Sequence, residues 1–288
     1  MSIEGLRIIG ESINDSVPST NKLYKNNDIE GIKELARLQS DKGAAYIDVN
    51  VGSRSPGFMS DIVKEVQSVT SKPLAIDSPD FDTVKAGLEA YSIEKANGKI
   101  PILNSISPLR MEMFEFLKSY KFIPILMISE REINGESNPN HTVEETYDTA
   151  KFMYQRLNKY CDIVNDEIIF DVGIAPIASD TQGQTKRTIE SIKKINSDQR
   201  FNGVHMSLGL SNFTVMLPPK CADGSPVKSS LESAFLTMTV NNGLDMVIGS
   251  VKRNYRILNE DHPAMKCLTD VLTLDGFDII MRVQSFYA

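Results

Sequence analysis

Side chains able to bind or polarise a ligand collect at the trailing ends of short apolar runs. Glu11-Ser12-Ile13-Asn14 closes the first run, Asp48-Val49-Asn50 the second and Asp77-Ser78 the third. Asn104-Ser105, Asp171 and Gly209-Leu210-Ser211-Asn212 close three later ones. Any one of these Asp or Asn residues could cap a helix or make an Asx-turn. Capping is a weaker account of the whole set, because a buried carboxylate without a partner is costly. Several anionic acceptors with amides among them suit a ligand that presents a row of N–H donors.

No strong nucleophile accompanies them. The sequence has no GxSxG elbow, no Ser–His–Asp set and no lysine at a strand end of the kind Schiff-base chemistry uses. His141, His205 and His262 stand far apart with no HxH or HExxH spacing, so no metal ligand set is assigned, and His205 reads as structural. GxGxxG and GxxxxGK[ST] loops are also missing. The rim can hydrogen-bond and polarise, so the reactive group must belong to the substrate or to a cofactor on another protein.

The elements that would position this rim alternate along the chain. Strand-like runs occur at Arg7–Ile13, Ala44–Asn50, Pro73–Ser78, Ile100–Ser105, Phe122–Ile128, Glu167–Gly173, Val204–Leu210 and Met246–Ser250. Their lengths suit strands buried on both faces. Helical spacing fills the intervals: Ile29–Lys42, Met59–Val69, Phe81–Ala90, Leu109–Ser119, Val143–Lys159, Thr185–Ile195, Leu231–Asn242 and Pro263–Leu272. Thr142 with Glu145 forms a capping-box pattern before the fifth helix. Eight strand–helix pairs predict an α/β fold, a single (β/α)8 TIM barrel spanning residues 1–288 as one domain. Leu217–Ser229, rich in Pro, Gly and polar residues, reads as a long loop over the barrel mouth.

Composition narrows the partners. Thirty-one Lys+Arg against 38 Asp+Glu give a net charge of −7, which disfavours nucleic acid. No apolar run is long enough for a membrane span, and the N-terminus lacks a secretory pattern. Cys161, Cys221 and Cys267, an odd and widely spaced set, fit reduced thiols in the cytoplasm.

The strand-end segments, taken in order, resemble the pterin-binding methyltransferases, within the superfamily that includes dihydropteroate synthase. The resemblance runs through IIGESIN (8–14), IDVNVG (47–52), AIDS (75–78), ILNSIS (102–107), FDVGIAP (170–176) and LGLSN (208–212). It implies that Asp77, Asn104 and Asp171 hold the pterin, with Asp48 and Asn50 supporting the pocket. It implies that Asn212 is catalytic, hydrogen-bonding the pterin N5, and that Gly209 and Ser211 shape the backbone beside it. The substrate would be tetrahydrofolate or 5-methyltetrahydrofolate. The cobalt of a corrinoid would arrive on a separate partner protein, because no DxHxxG corrinoid motif is present. Relatives of this kind are homodimers, which sets the same expectation here. Leu217–Ser229 and Arg131–Asn140 are the expected docking segments for the corrinoid protein.

Two departures bear on the subtype. Ser12 stands where the family often has arginine, and Lys220 occupies the position eight residues after the catalytic Asn where relatives carry arginine. Lysine keeps the charge without the planar fork. These changes favour the tetrahydrofolate methyltransferase component of a corrinoid-dependent O-demethylase system. The alternatives are the methyltetrahydrofolate:corrinoid iron–sulfur protein methyltransferase of the acetyl-CoA pathway, dihydropteroate synthase, and a non-catalytic folate-binding protein. Dihydropteroate synthases carry a Ser-Arg-Lys-type end to strand 7, which Gly209-Leu210-Ser211-Asn212 does not match.

Overall fold

The computed structural model describes residues 3–288. Eight parallel strands form its centre: β1 (Arg7–Asn14), β2 (Tyr46–Asn50), β3 (Leu74–Asp77), β4 (Ile102–Ile106), β5 (Ile123–Met127), β6 (Ile169–Asp171), β7 (His205–Ser207) and β8 (Met246–Gly249). From β1 to β7 each pairs with the next in chain order, and β8 pairs with β1. Parallel bridges Met206–Leu244 and Gly209–Ile248 join β7 to the β8 region and close the ring. The result is the expected (β/α)8 barrel.

The strand pleat explains how one barrel holds both a core and a site. Successive inward side chains lie two residues apart. Ile9, Ala75, Ile102, Ile125, Ile169 and Met246, drawn from six strands, pack together as an apolar plug, with Tyr46 against it. Two residues further along each of these strands stand Glu11, Asp77, Asn104, Met127, Asp171 and Ile248, while Asp48 follows Tyr46. That upper layer is predominantly polar, and it faces the end where barrel chemistry is found. The alternate residues, such as Ile47, Val49, Ile76, Leu103 and Phe170, face outward into the larger core beneath the helices.

Local chemistry sets the helix boundaries. Helix Ile29–Asp41 starts where the Asp28 carboxylate accepts the Gly31 N–H at 2.9 Å. Its fully buried Gln39 reaches back to β1, where Oε1 accepts the Ser12 N–H at 3.0 Å beside a register shift. A β-carbon at position 10 would collide with that carboxamide, so Gly10 is required there. Helix Val143–Leu157 has the reciprocal Thr142–Glu145 capping box anticipated from sequence.

Several elements differ from the sequence reading. The expected helix at Leu109–Ser119 is a 3-10 helix, Met111–Lys118. Its buried Met113 and Phe116 are three apart and share one edge in a three-residue turn. The helix expected from Met59 begins at Pro56, capped by Ser55, and ends at Val66. Strand β7 stops at Ser207, and Gly209 opens a one-turn helix, Leu210–Phe213, in place of a strand end. Helices Pro18–Lys25 and Phe277–Tyr287 add to the eight expected. The segment Arg131–Asn140 belongs to a hairpin, Glu130–Ile133 with Glu136–Pro139, turned by Asn134-Gly135 at φ 54° and 83°. Cys161, Cys221 and Cys267 are all free thiols. Among the described residues, no helix is long and apolar enough to cross a membrane.

The N-terminal end of the barrel carries structural polarity. Arg7 donates to Asp245 at 2.8 Å, the His205 ring lies 2.6 Å from the same carboxylate, and Asp245 Oδ1 accepts the Met206 N–H at 3.1 Å. His205 is therefore a brace between β1, β7 and the approach to β8. Asp245→Ala is expected to destabilise the chain by about 1–2 kcal/mol, the partial exposure of the pair limiting the loss. Urea unfolding measures this, and an unmoved midpoint would show that the brace contributes nothing.

Candidate functional site

The upper polar layer forms the floor of a cavity of about 640 Å³ at the C-terminal ends of the strands. Glu11, Asp48, Asp77, Asn104, Asp171, Gly209 and Asn212 all line it. The parallel register puts Asn50 beside Asp77, Asp77 beside Asn104, and Asp171 beside Ser207. The floor is thus assembled from strands far apart in sequence and adjacent in the barrel.

Within this floor the polar groups constrain one another. Asn50 Nδ2 donates to Asp77 Oδ2 at 2.9 Å, while Asn50 Oδ1 accepts the Gly52 N–H at 2.8 Å. Asn104 Nδ2 donates to Asp48 Oδ1 at 3.1 Å. The Gly173 N–H donates to Asp171 Oδ1 at 2.8 Å. Ser211 donates to Glu11, which braces the one-turn helix of β7 against β1. Asn50 and Ser211 therefore act behind the cavity wall, each holding a carboxylate that lines it.

Burial raises the carboxyl pKa values throughout. Asp77 and Asp171 are each pushed up to about 6, with the Asn50 amide and the Gly173 N–H respectively pulling back. Asp48, fully buried, rises well above the carboxylate range through burial and then through the charge of Asp77. Asp48 Oδ2 has no hydrogen-bond partner among the described residues, so the Asn104 amide on Oδ1 is what offsets part of the cost of burial. Glu11 is also raised by burial, offset by the Ser211 hydroxyl and Arg253. At neutral pH the floor therefore presents Asp77 and Asp171 mainly as anions. Two such anions accept paired N–H donors, and the Asn104 amide can serve a mixed donor–acceptor edge.

Asn212 is exposed at the cavity edge on the one-turn helix. Its Nδ2 lies 2.8 Å from the place a β-carbon on Gly209 would occupy, so any larger residue at 209 would push the amide away. Lys220 does not line the cavity: it is exposed and bridges to Pro226 within the segment expected over the mouth. That segment instead packs toward the C-terminal helix, with the Ala222 N–H donating to the Tyr287 carbonyl at 3.2 Å.

The cavity also takes residues that strand ends did not reveal. Glu130 and Pro139 come from the hairpin after β5, His141 follows it, and Gln182, Gln184 and Arg187 come from the approach to helix Gln184–Asn196 and from its first turn. Arg187 is buried, donating to Thr146 Oγ1 at 2.9 Å, and its Nε has no partner. The Asn-Gly dipeptide at 134–135 is the one signal that marked the hairpin. Among the described residues no group of His, Cys, Asp and Glu is arranged to hold a metal ion.

This geometry has counterparts among known proteins. Residues 13–249 match the family described as pterin binding enzyme. The chain belongs to that family. Over 250 residues it is 27% identical to the methylcorrinoid:tetrahydrofolate methyltransferase of Eubacterium limosum, covering 84% of this chain and 83% of that protein. It is 23% identical over 273 residues to the methionine synthase of Mycobacterium leprae, covering 89% of this chain and 21% of that much longer protein. Dihydropteroate synthase from Thermus thermophilus superposes with a TM-score of 0.58 at 14% identity, covering 95% of each chain. The Xanthomonas albilineans dihydropteroate synthase solved with 4-aminobenzoic acid gives 0.57 at 15% identity, covering 95% of this chain and 92% of that one. These two likenesses are of fold. The family match takes in every strand-end residue of the cavity named above except Glu11.

The raised carboxyls make a stability cost that can be measured. A native pKa near 6 against an ordinary value near 4 means the folded chain binds the proton more tightly than the unfolded one. Stability from Asp171 therefore falls as pH rises from about 4 to about 6, and the full cost persists above that. Asp171→Asn keeps an acceptor for Gly173 and removes the charge. It is expected to stabilise the ligand-free protein at pH 8 by roughly 1–3 kcal/mol and by about half as much at pH 5. Thermal melts at the two pH values measure this, and equal shifts at both would refute the buried-charge account.

Proposed function

We propose that the chain is a methyltransferase that moves a methyl group between N5 of tetrahydrofolate and the cobalt of a separate corrinoid protein. The observation that carries this reading is the convergence of Asp77, Asn104 and Asp171 with Asn212 around one cavity. The family match and the likeness to a methylcorrinoid:tetrahydrofolate methyltransferase support it. The finer reading, a component of a corrinoid-dependent O-demethylase system, rests on Ser12 and Lys220 in place of arginines. A homodimer in the cytoplasm is part of the same proposal.

In this reading the pterin lies on the polar floor. Its 2-amino-4-oxopyrimidine edge donates N–H groups to the Asp77 and Asp171 carboxylates, and Asn104 meets the mixed part of the edge. Asn50 favours the anionic form of Asp77 by donating a hydrogen bond to it. A methyl on a tertiary N5 is a poor electrophile, because the departing nitrogen gathers negative charge unless it is protonated. A donor aimed at N5 stabilises that change in the transition state more than in the ground state. The Asn212 amide keeps its own proton, so it orients and stabilises N5 while water supplies the proton. In the reverse direction the same contact positions N5 as the nucleophile. The corrinoid approaches from the open mouth as the second substrate.

Asn212→Ala is expected to reduce methyl transfer between 5-methyltetrahydrofolate and cob(I)alamin by about 10²–10³-fold. Folate affinity, measured by calorimetry, is expected to change far less. Tight folate binding with no transfer by the wild type to cobalamin or any corrinoid protein would move the assignment to a folate-binding protein. Absence of folate binding would sink the proposal.

A further inference from the structure

A second cleft of opposite charge lies on the same face of the barrel. It holds about 390 Å³ between the loop after β8 and the start of helix Lys228–Thr239, and its walls carry Lys252, Arg253, Arg256, Ser229, Ser230 and Ser233. Only Arg253 is paired, its Nη1 lying 3.0 Å from the fully buried Glu232. Lys252 and Arg256 are exposed and make no ion pair among the described residues. Lys252 and Arg256, two cations without an anionic partner beside the paired Arg253, favour an anion placed between them.

Neutral donors point to the same kind of ligand. Val227 gives the helix no side-chain cap, which leaves the first-turn N–H groups without a side-chain acceptor. Ser233, 1% exposed, accepts the Arg256 N–H at 3.3 Å, and its hydroxyl hydrogen has no acceptor among the described residues. The cleft lies beside the one-turn helix at the cavity edge: Thr214, two residues after Asn212, donates to Glu232, the carboxylate that Arg253 of the cleft faces. Loops after the last two strands and a helix N-terminus are where barrels bind oxyanions.

We infer that this cleft is an oxyanion subsite, occupied by the γ-glutamyl carboxylates of a folate tail whose pterin head lies in the acidic cavity. The identity of the tail rests on the folate reading above; the oxyanion chemistry does not. Inorganic phosphate offers the same chemistry from another source.

Calorimetry of the wild type and of the double variant Lys252→Ala/Arg256→Ala separates the cases. The ligands are tetrahydrofolate triglutamate, tailless 6-methyltetrahydropterin and inorganic phosphate. The double variant is expected to bind the triglutamate about tenfold more weakly while its affinity for the tailless pterin stays unchanged. Unchanged triglutamate affinity overturns the tail assignment, and phosphate binding lost in the same variant then makes free phosphate the occupant. Failure of the wild type to bind either pterin counts against the folate reading alone. In that case phosphate binding removed by the double substitution upholds the oxyanion subsite, and no phosphate binding overturns it.

Discussion

The two-residue period of a β-strand is the constraint on which this molecule depends. In a closed ring of parallel strands, every second side chain points inward, and short strands offer only two or three such positions. Here the lower position is Ile9, Ala75, Ile102, Ile125, Ile169 or Met246, and the plug they form holds the barrel together. The upper position is then the one place where several strands can present chemistry to a common point. A one-residue slip in any strand would send its carboxylate or amide into the apolar layer beneath the helices, a change that burial makes costly. Fold and site are therefore specified by the same register.

That arrangement has an electrostatic consequence. Glu11, Asp48, Asp77 and Asp171 share one cavity, and burial opposes the charge on each. Burial weighs on them unevenly: the fully buried Asp48 is raised well above the carboxylate range, while Asp77 and Asp171 are each pushed up to about 6. A ligand edge bearing N–H donors would relieve the remaining cost, so poor stability in the empty cavity and affinity in the filled one have a common origin.

Much of this was legible in sequence, for a physical reason. Strands buried on both faces must be apolar, so a carboxylate or amide at the end of a run such as Ala75–Asp77 or Ile169–Asp171 stands out sharply. Asp77, Asn104 and Asp171 reach the cavity because strand position dictates direction. Lys220 was placed by its spacing from Asn212, and the chain between them turns through buried Leu217 and two prolines before leading away from the mouth. Counting residues along a loop carries no direction. The hairpin at Glu130–Pro139 was hidden because it buries little, so its strands show no apolar alternation. Arg187 was hidden because it is carried on a helix whose buried face mixes Thr185, Thr188 and Ser191 with three isoleucines, so no one polar residue stands out.

The distribution of charge on the mouth narrows what can be bound there. The central cavity gathers carboxyls, while the cleft between the start of helix Lys228–Thr239 and the loop after β8 gathers cations. A molecule carrying N–H donors alone would fill the first and leave the cations of the second unneutralised. One carrying only oxyanions would be repelled by the first. The surface is complementary to a molecule with both features, held apart by a spacer, and Arg253 couples the two halves by facing Glu232 and acting on Glu11. Electrostatic complementarity of this kind fixes orientation more than it adds affinity. Under the proposed reading, a folate with its head toward the acidic floor and its tail toward the basic cleft lies along the rim that carries the exposed Asn212.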